Sequence, residues 1–179
     1  MTTTTTPWRT VVTPHDNIKQ GKVKQNDFAA SLADVLNSSG NPDYFDPVRF
    51  FNRTFLTGGL RQLAGEVVGR LTGQGDGDAV MQIQTPFGGG KTHTLITLRH
   101  LVFDPENLPD LASVQEFQQA IGQKPPKARV AALYFDKIDV EKGKETRAPD
   151  GTMRLLKQPW SILAWQLAGE EGLRLLQAD

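Results

Sequence analysis

The chain has 179 residues, which is enough for one domain with a sizeable hydrophobic core. Its 20 basic and 20 acidic residues cancel, which excludes a global field that would attract nucleic acid or an anionic membrane, although a local basic patch is compatible with this balance. It has no cysteine and only three histidines, which excludes disulfides and thiolate metal sites.

The sequence contains neither a membrane-spanning segment nor a signal peptide. The longest uninterrupted apolar run, residues 130–135, is much too short to cross a bilayer. Met1 and the five threonines after it lack the charged and apolar regions of a signal peptide. We therefore expect a cytoplasmic protein that makes no membrane contact and has a disordered N-terminal tip.

The chain before residue 79 divides into two predicted regions. Residues 1–25 predict an N-terminal tail with a short strand near 8–12, closed by a turn at Pro14. Residues 26–78 predict a helical region, because capping residues precede runs whose apolar side chains recur every three or four positions.

Three helix starts are expected in this helical region. Asn26 or Asp27 is placed to cap the first helix, Asp46 followed by a proline the second, and Thr57 the third. The aromatic residues between positions 44 and 55 are expected to pack in the core, and a partner-docking surface is the alternative interpretation.

A glycine-rich stretch, Thr-Pro-Phe-Gly-Gly-Gly-Lys-Thr at 85–92, follows a short apolar segment at 79–84. After it, apolar residues at helical spacing predict a helix from Lys91 to about Val102. A strand, a glycine turn and a helix in this order are typical of a phosphate-binding loop, the Walker A motif. Thr85 stands where the strict pattern has its first glycine. A flexible turn without a ligand is the structural alternative.

The residue types of this loop suit a nucleoside triphosphate. Backbone N–H groups surround phosphates where glycines exclude bulk, and the helix start adds the positive end of its dipole. The residues expected to contact the nucleotide are Thr85, Pro86, Phe87, Gly88, Gly89, Gly90, Lys91, Thr92 and His93. Lys91 is the expected catalytic residue, reaching the β- and γ-phosphates, and Thr92 is an expected Mg²⁺ ligand. His93 either contacts a phosphate or faces solvent from the helix.

The segments after the loop predict an α/β fold. A capping box at 113–116 predicts a short helix, and the apolar run at 130–135 predicts a second strand. Strand, helices and strand would form a right-handed crossover, so residues 79–179 are predicted to be the start of a P-loop NTPase domain with a mostly parallel sheet. Residues 141–154 are charged and lack periodicity, which predicts a surface loop, and Pro159 begins the last predicted helix.

Asp136 follows the second predicted strand and has two interpretations. Four apolar residues and then an aspartate is the form of the Walker B group, which would make Asp136 a second Mg²⁺ ligand. A loop aspartate after an ordinary strand is the interpretation we favour, because Lys137 stands where the catalytic version usually has a glutamate.

Several of these segments together resemble a known family. They are Trp8, Pro14-His15, the aromatic block at 44–51, the helix start at 57–60 and, above all, the stretch 84–95. They resemble the N-terminal part of large predicted AAA+-superfamily ATPases, bacterial and archaeal proteins catalogued as a domain of unknown function and often encoded beside DNA methylases and helicases in defence islands. Threonine at the first loop position belongs to that family's pattern. The resemblance covers nearly the whole chain and implies a fragment truncated before the Walker B strand.

The resemblance implies an ATPase function for the full-length protein. ATP and Mg²⁺ would be the ligands, hydrolysis would drive a conformational change in phage defence or DNA processing, DNA-modification or helicase proteins would be partners, and an oligomer is compatible with this role. We expect the present chain to bind nucleotide with little turnover, because it offers no evident carboxylate to orient the attacking water. Two alternatives are open: the first domain of a helicase, and a non-catalytic interaction module that binds nucleotide as a structural ligand.

Overall fold

The computed structural model describes residues 6–23, 25–75, 77–86, 88–135, 138–139 and 141–177. The chain separates into two compact units, Met1–Ala30 and Ser31–Asp179. None of the described helices is both long and apolar enough to span a bilayer.

The first unit consists, in its described part, of short helical turns: a 3₁₀ turn at Trp8–Thr10, helix α1 at Asp16–Lys19 and a second 3₁₀ turn at Gln25–Phe28. The strand predicted near 8–12 is wrong. The amide and the hydroxyl of Thr10 both donate to the Pro7 carbonyl, at 2.9 and 2.7 Å, and this local bonding closes a turn instead of extending the chain.

The second unit is mostly helical. Its helices are α2 Leu32–Leu36, α3 Pro42–Phe45, α4 Pro47–Arg53, α5 Gly58–Thr72, α6 Lys91–Phe103, α7 Ala112–Ile121 and α8 Pro159–Gln177, with a 3₁₀ turn at Pro105–Asn107. Side-chain oxygens of Ser31, Asn41, Asp46 and Thr57 accept amide hydrogens at the starts of α2 to α5. The caps predicted at Asp46 and Thr57 are confirmed, whereas the first helix of the unit starts after Ser31 and not near Asp27.

The start of α7 differs from the prediction. Ser113 does not cap the helix, because its hydroxyl donates to the Phe51 carbonyl of α4 at 3.1 Å. The residue at the cap position is Leu111, which offers no side-chain acceptor. Helix α7 ends at Gly122, which takes the left-handed conformation with φ of 74°.

The predicted α/β fold class is wrong. The chain is mostly helical, and the described residues contain a single two-stranded antiparallel sheet, formed by β1 Lys144–Arg147 and β2 Met153–Leu156. The mostly parallel sheet of a P-loop NTPase core is not seen. Neither of the segments predicted to be its strands, 79–84 and 130–135, forms a strand at any described position.

The physical reason is visible at residues 130–135. A strand requires a neighbouring chain that accepts and donates its main-chain hydrogen bonds. At Ala132 a side chain supplies both bonds: the amide donates to Gln166 Oε1 at 2.6 Å, and Gln166 Nε2 donates to the Ala132 carbonyl at 3.2 Å. An apolar run is therefore half-buried against α8 without pairing in a sheet.

The hairpin spans residues 144–156, most of which belong to the surface loop predicted for residues 141–154. Its turn is Pro149-Asp150-Gly151, where the Gly151 amide donates to the Ala148 carbonyl at 3.0 Å and Gly151 has φ of 90°. Proline, aspartate and glycine in this order are a typical turn sequence. The turn sequence therefore indicated a hairpin, although the flanking residues lack the alternation of apolar and polar side chains that is typical of strands.

Two groups of buried apolar side chains hold the second unit together. On α4 to α7 they are Phe50, Phe51, Leu60, Ala64, Val68, Ile96, Leu101, Val102, Val114 and Phe117. Beside the hairpin and α8 they are Ala148, Leu156, Ile162, Trp165 and Leu173. Trp165 is buried and donates from Nε1 to the Thr146 carbonyl at 3.0 Å. Helix α8 is interrupted at Gly169, whose φ and ψ of 59° and −134° are not helical.

Candidate phosphate-binding site

The described part of the glycine-rich stretch turns tightly and leads directly into α6. Gly88 and Gly90 have φ of 80° and 81°, the left-handed conformation that residues with a Cβ atom rarely adopt. The Gly89 amide donates to the Pro86 carbonyl at 3.1 Å and closes the turn. The predicted helix after the loop is confirmed as α6, which starts at Lys91.

Gly89 is required for a different reason than its two neighbours. A Cβ atom at Gly89 would lie 2.5 Å from the Thr85 Cβ, which is closer than such atoms approach, and 3.0 Å from the Pro86 carbonyl oxygen, which is a tight contact. A Cβ atom at Gly88 or Gly90 would have no neighbouring atom within 4 Å. A glycine is therefore needed at position 89 because a side chain there would clash with Thr85. At positions 88 and 90 a glycine is needed because of the left-handed backbone conformation.

The side chain of Lys91 turns back across the loop. Its Nζ donates to the Thr85 carbonyl at 2.8 Å, to the Thr85 hydroxyl at 3.1 Å and to the Pro86 carbonyl at 3.2 Å. These contacts use all three donors of the ammonium group. A positive charge is thus held over the turn by neutral oxygen atoms.

Helix α6 begins without a side-chain cap, unlike α2 to α5. Gly90 occupies the cap position, and the first hydrogen bond of the helix runs from the Thr94 amide to the Gly90 carbonyl at 2.8 Å. The amides of residues 91–93 have no acceptor within the described part of the chain. Unpaired amides at a helix start, together with the helix dipole, favour an anion.

His93 is packed against α4. Its ring centroid lies 4.6 Å from that of Phe50, and its Nε2 lies 3.1 Å from the Thr54 hydroxyl oxygen. Because that hydroxyl donates its hydrogen to the Phe50 carbonyl at 2.7 Å, it accepts a hydrogen from His93 Nε2. The phosphate contact predicted for His93 stays a prediction, and this attachment of the helix start to α4 is a role that sequence reasoning missed.

Comparison with known protein families identifies the family of the chain. Residues 14–165 match the family described as the DUF499 N-terminal domain, which is uncharacterised. The chain belongs to this family. The match includes the glycine-rich stretch, α4, α6 and the hairpin. No curated protein and no solved structure matches the chain.

A second histidine fixes α6 of this DUF499 domain to the preceding helices. His100 is buried, donates from Nε2 to the Tyr44 carbonyl at 2.8 Å and lies 5.1 Å from the Phe50 ring centroid. His100 follows the buried Ile96 by four positions, so its place on the buried face was readable from the helical period. Burial lowers the pKa of both His93 and His100.

These two histidines predict acid-sensitive folding. Their pKa values are lowered in the folded state below the ordinary 6.5, so the unfolded state binds more protons and stability decreases as pH falls below about 6.5. We expect the urea midpoint to decrease between about pH 7 and pH 5. His100→Gln, which keeps a donor for the Tyr44 carbonyl, is expected to flatten this decrease. An identical pH dependence in wild type and variant would contradict the assignment.

The remaining predicted site residues are placed as follows. Thr92 lies in the first turn of α6 with a half-buried side chain. Phe87 and the second predicted Mg²⁺ ligand, Asp136, lie outside the described residues, so their roles stay predictions. In the part of the chain that the structure describes, no three His, Asp or Glu side chains are grouped to hold a metal ion.

Proposed function

We propose that residues 85–92 bind the phosphates of ATP–Mg²⁺. The observation that carries the proposal is the Lys91 ammonium, held within 3.2 Å of Thr85 and Pro86 at the uncapped start of α6. Phosphate oxygens are charged and form shorter and stronger hydrogen bonds with an ammonium group than neutral carbonyls do. A bound phosphate would therefore replace these carbonyls as partners of Lys91.

The residues present fit a triphosphate. The amides of residues 91–93, which have no acceptor among the described residues, supply donors for phosphate oxygens, and the space around Gly88 and Gly90 leaves room for them. Thr92 would offer its hydroxyl to Mg²⁺. The magnesium ion would neutralise phosphate charge when bound; the chain itself contributes orientation and a positive field.

The proposal does not require a parallel sheet. In this domain the helix behind the loop is fixed by other means, since Ile96, Thr97 and Leu101 are buried and two histidine hydrogen bonds attach α6 to the preceding helices. Such a rigid helix is able to present its amides in one direction. The position of the loop is therefore determined by the packing of α6 and by the hydrogen bonds of Lys91.

At the level of the longer proteins, the proposal extends to ATP hydrolysis. We propose that DUF499 proteins are AAA+-type ATPases that act in phage defence or DNA processing beside DNA-modification or helicase proteins; the support is the sequence resemblance around residues 84–95. None of the described carboxylates forms a hydrogen bond or an ion pair with the loop. We therefore expect this chain to bind ATP with little turnover.

Calorimetric titration of the 179-residue chain tests the proposal. ATP–Mg²⁺ is expected to bind saturably and to raise the melting temperature, whereas adenosine at the same concentration is expected to do neither. Absence of heat together with an unchanged melting temperature would refute nucleotide binding at this loop. Rapid steady hydrolysis that depends on Lys91 would refute only the expectation of low turnover.

Gly89→Ala provides a test of the loop geometry. The added methyl group clashes with Thr85 and Pro86, so the turn has to open, and we expect the affinity for ATP–Mg²⁺ to fall by about tenfold or more. Gly65→Ala is the matched control, because Gly65 lies inside α5 and a methyl group added there would have no neighbouring atom within 4 Å. Equal affinities for the two variants would contradict the role assigned to Gly89.

A further inference from the structure

A second cavity lies in the same unit, along the C-terminal half of α6. Its volume is about 510 Å³, and its walls come from the end of α2, from α6, from residues 129–134, from the hairpin and from α8. This volume is in the range of pockets that bind small molecules. The cavity shares no lining residue with the loop at 85–92.

The lining of this cavity is positively charged. Four basic side chains, Arg99, Arg129, Lys144 and Arg147, face two acidic ones, Glu145 and Asp150. The whole chain has a formal net charge of zero, so this is a local concentration of positive charge. A concave surface with an excess of one sign raises the local concentration of ligands of the opposite sign.

Arg99 carries the strongest indication of a ligand. Its Nε is buried and has no hydrogen-bond partner among the residues that the structure describes. Its guanidinium carbon lies 4.5 Å from the ring centroid of Phe103, which holds the group in place. Burial without an acceptor is unfavourable for such a donor, and it also lowers the pKa of Arg99. Arg99 also lines the cavity, so its guanidinium group is a candidate partner for an oxyanion bound there.

Two further cations are held in fixed positions around Arg99. Arg129 donates from Nη1 to the Leu167 carbonyl at 2.9 Å. The Lys144 ammonium lies over the Tyr134 ring, 3.1 Å from its centroid. Cations that are already fixed lose little conformational entropy when a ligand binds, so they are suited to binding a small anion.

We propose that this cavity is a second binding site, which takes a phosphate-bearing small molecule whose oxyanion contacts Arg99. Guanidinium groups bind phosphate through paired hydrogen bonds, which favours a phosphoryl group over a halide. Glu145 and Asp150 in the same lining are able to accept hydrogen bonds from ligand hydroxyl groups. The cavity volume of about 510 Å³ and this mixed lining together favour a small ligand.

The experiment uses the full chain carrying Lys91→Ala, so that the proposed loop site does not contribute. Calorimetry and thermal melts are recorded with pyrophosphate, with sodium chloride added to equalise ionic strength. We expect saturable binding with one pyrophosphate per chain. Arg99→Gln is expected to weaken it about tenfold or more, because a charge-assisted contact is lost. Arg70→Gln, at an exposed position on α5, is the matched control and is expected to leave binding unchanged.

Two kinds of result would overturn the proposal. Binding that is absent, or that is equal in the Arg99→Gln and Arg70→Gln chains, would show that the cavity is not a phosphate site. If Arg99→Gln does not fold, as a lost thermal transition would show, Arg147→Gln decides, since this side chain is exposed and lines the same cavity. If a single-stranded oligonucleotide binds in a way that depends on Arg147, and pyrophosphate does not bind, the ligand of this cavity is a nucleic acid and not a small molecule.

Discussion

Lys91→Ala is expected to weaken the binding of ATP–Mg²⁺ by about a hundredfold or more. The variant removes the ammonium group of Lys91, whose Nζ lies 2.8 Å from the Thr85 carbonyl oxygen. The amides at the start of α6 are left in place, so residual weak binding measures their share. Isothermal titration calorimetry with ATP–Mg²⁺ gives the two dissociation constants.

The control for this variant is Lys124→Ala. Lys124 is also an exposed lysine, but it lies in the connection after α7, so its removal changes the net charge by the same amount without touching the loop. Its affinity for ATP–Mg²⁺ is expected to match that of the wild type. An equal loss in both variants would indicate a non-specific charge effect and would remove Lys91 from the site.

What the sequence predicted correctly is local chemistry. Asp46 and Thr57 cap their helices as expected, because the amides they accept belong to residues three positions further along the chain. Gly122 ends α7 for the same kind of reason. The start of α6 at Lys91 is also local, since a glycine turn and a helical period meet there.

What the sequence did not predict depends on partners distant in the chain. The apolar run at 130–135 fits a strand or a half-buried irregular segment equally well, and the bonds between Ala132 and Gln166, 34 positions apart, decide the outcome. Ser113 likewise fits a capping box, but Phe51 supplies a competing acceptor from another helix. Such competition is decided only when the chain has folded.

The same distinction between local and distant contacts applies to the candidate site. Thr85, Pro86 and the glycines were identified from their order alone, because a tight turn of left-handed residues limits which side chains fit. The attachment of His93 to α4 was not identified, since Thr54 lies 39 positions earlier in the chain. The sequence therefore predicted the glycine turn and the helix start, whereas phosphate binding there stays a prediction. The structure shows which helix contacts hold that helix start in place.

Phe50→Ala is expected to destabilise the domain by about 3–5 kcal/mol. The Phe50 ring is 1% exposed and lies between three other rings, with centroids at 5.5 Å for Phe51, 4.6 Å for His93 and 5.1 Å for His100. Removing it leaves a cavity between α4 and α6 that these rings fill only in part. Because a typical domain has about 5–15 kcal/mol of stability, urea unfolding followed by circular dichroism is expected to show a large shift in midpoint.

Phe55→Ala is the matched control for Phe50→Ala. Phe55 belongs to the same aromatic block but is 82% exposed, so its removal is expected to change the free energy of unfolding by no more than about 0.5 kcal/mol. Phe50→Leu separates volume from ring contacts: it keeps most of the bulk and is expected to cost about 1–2 kcal/mol. Since His93 rests on Phe50, folded Phe50→Leu protein is also expected to bind ATP–Mg²⁺ more weakly than Phe55→Ala. Equal unfolding midpoints for Phe50→Ala and Phe55→Ala would show that α6 is held in place by other contacts.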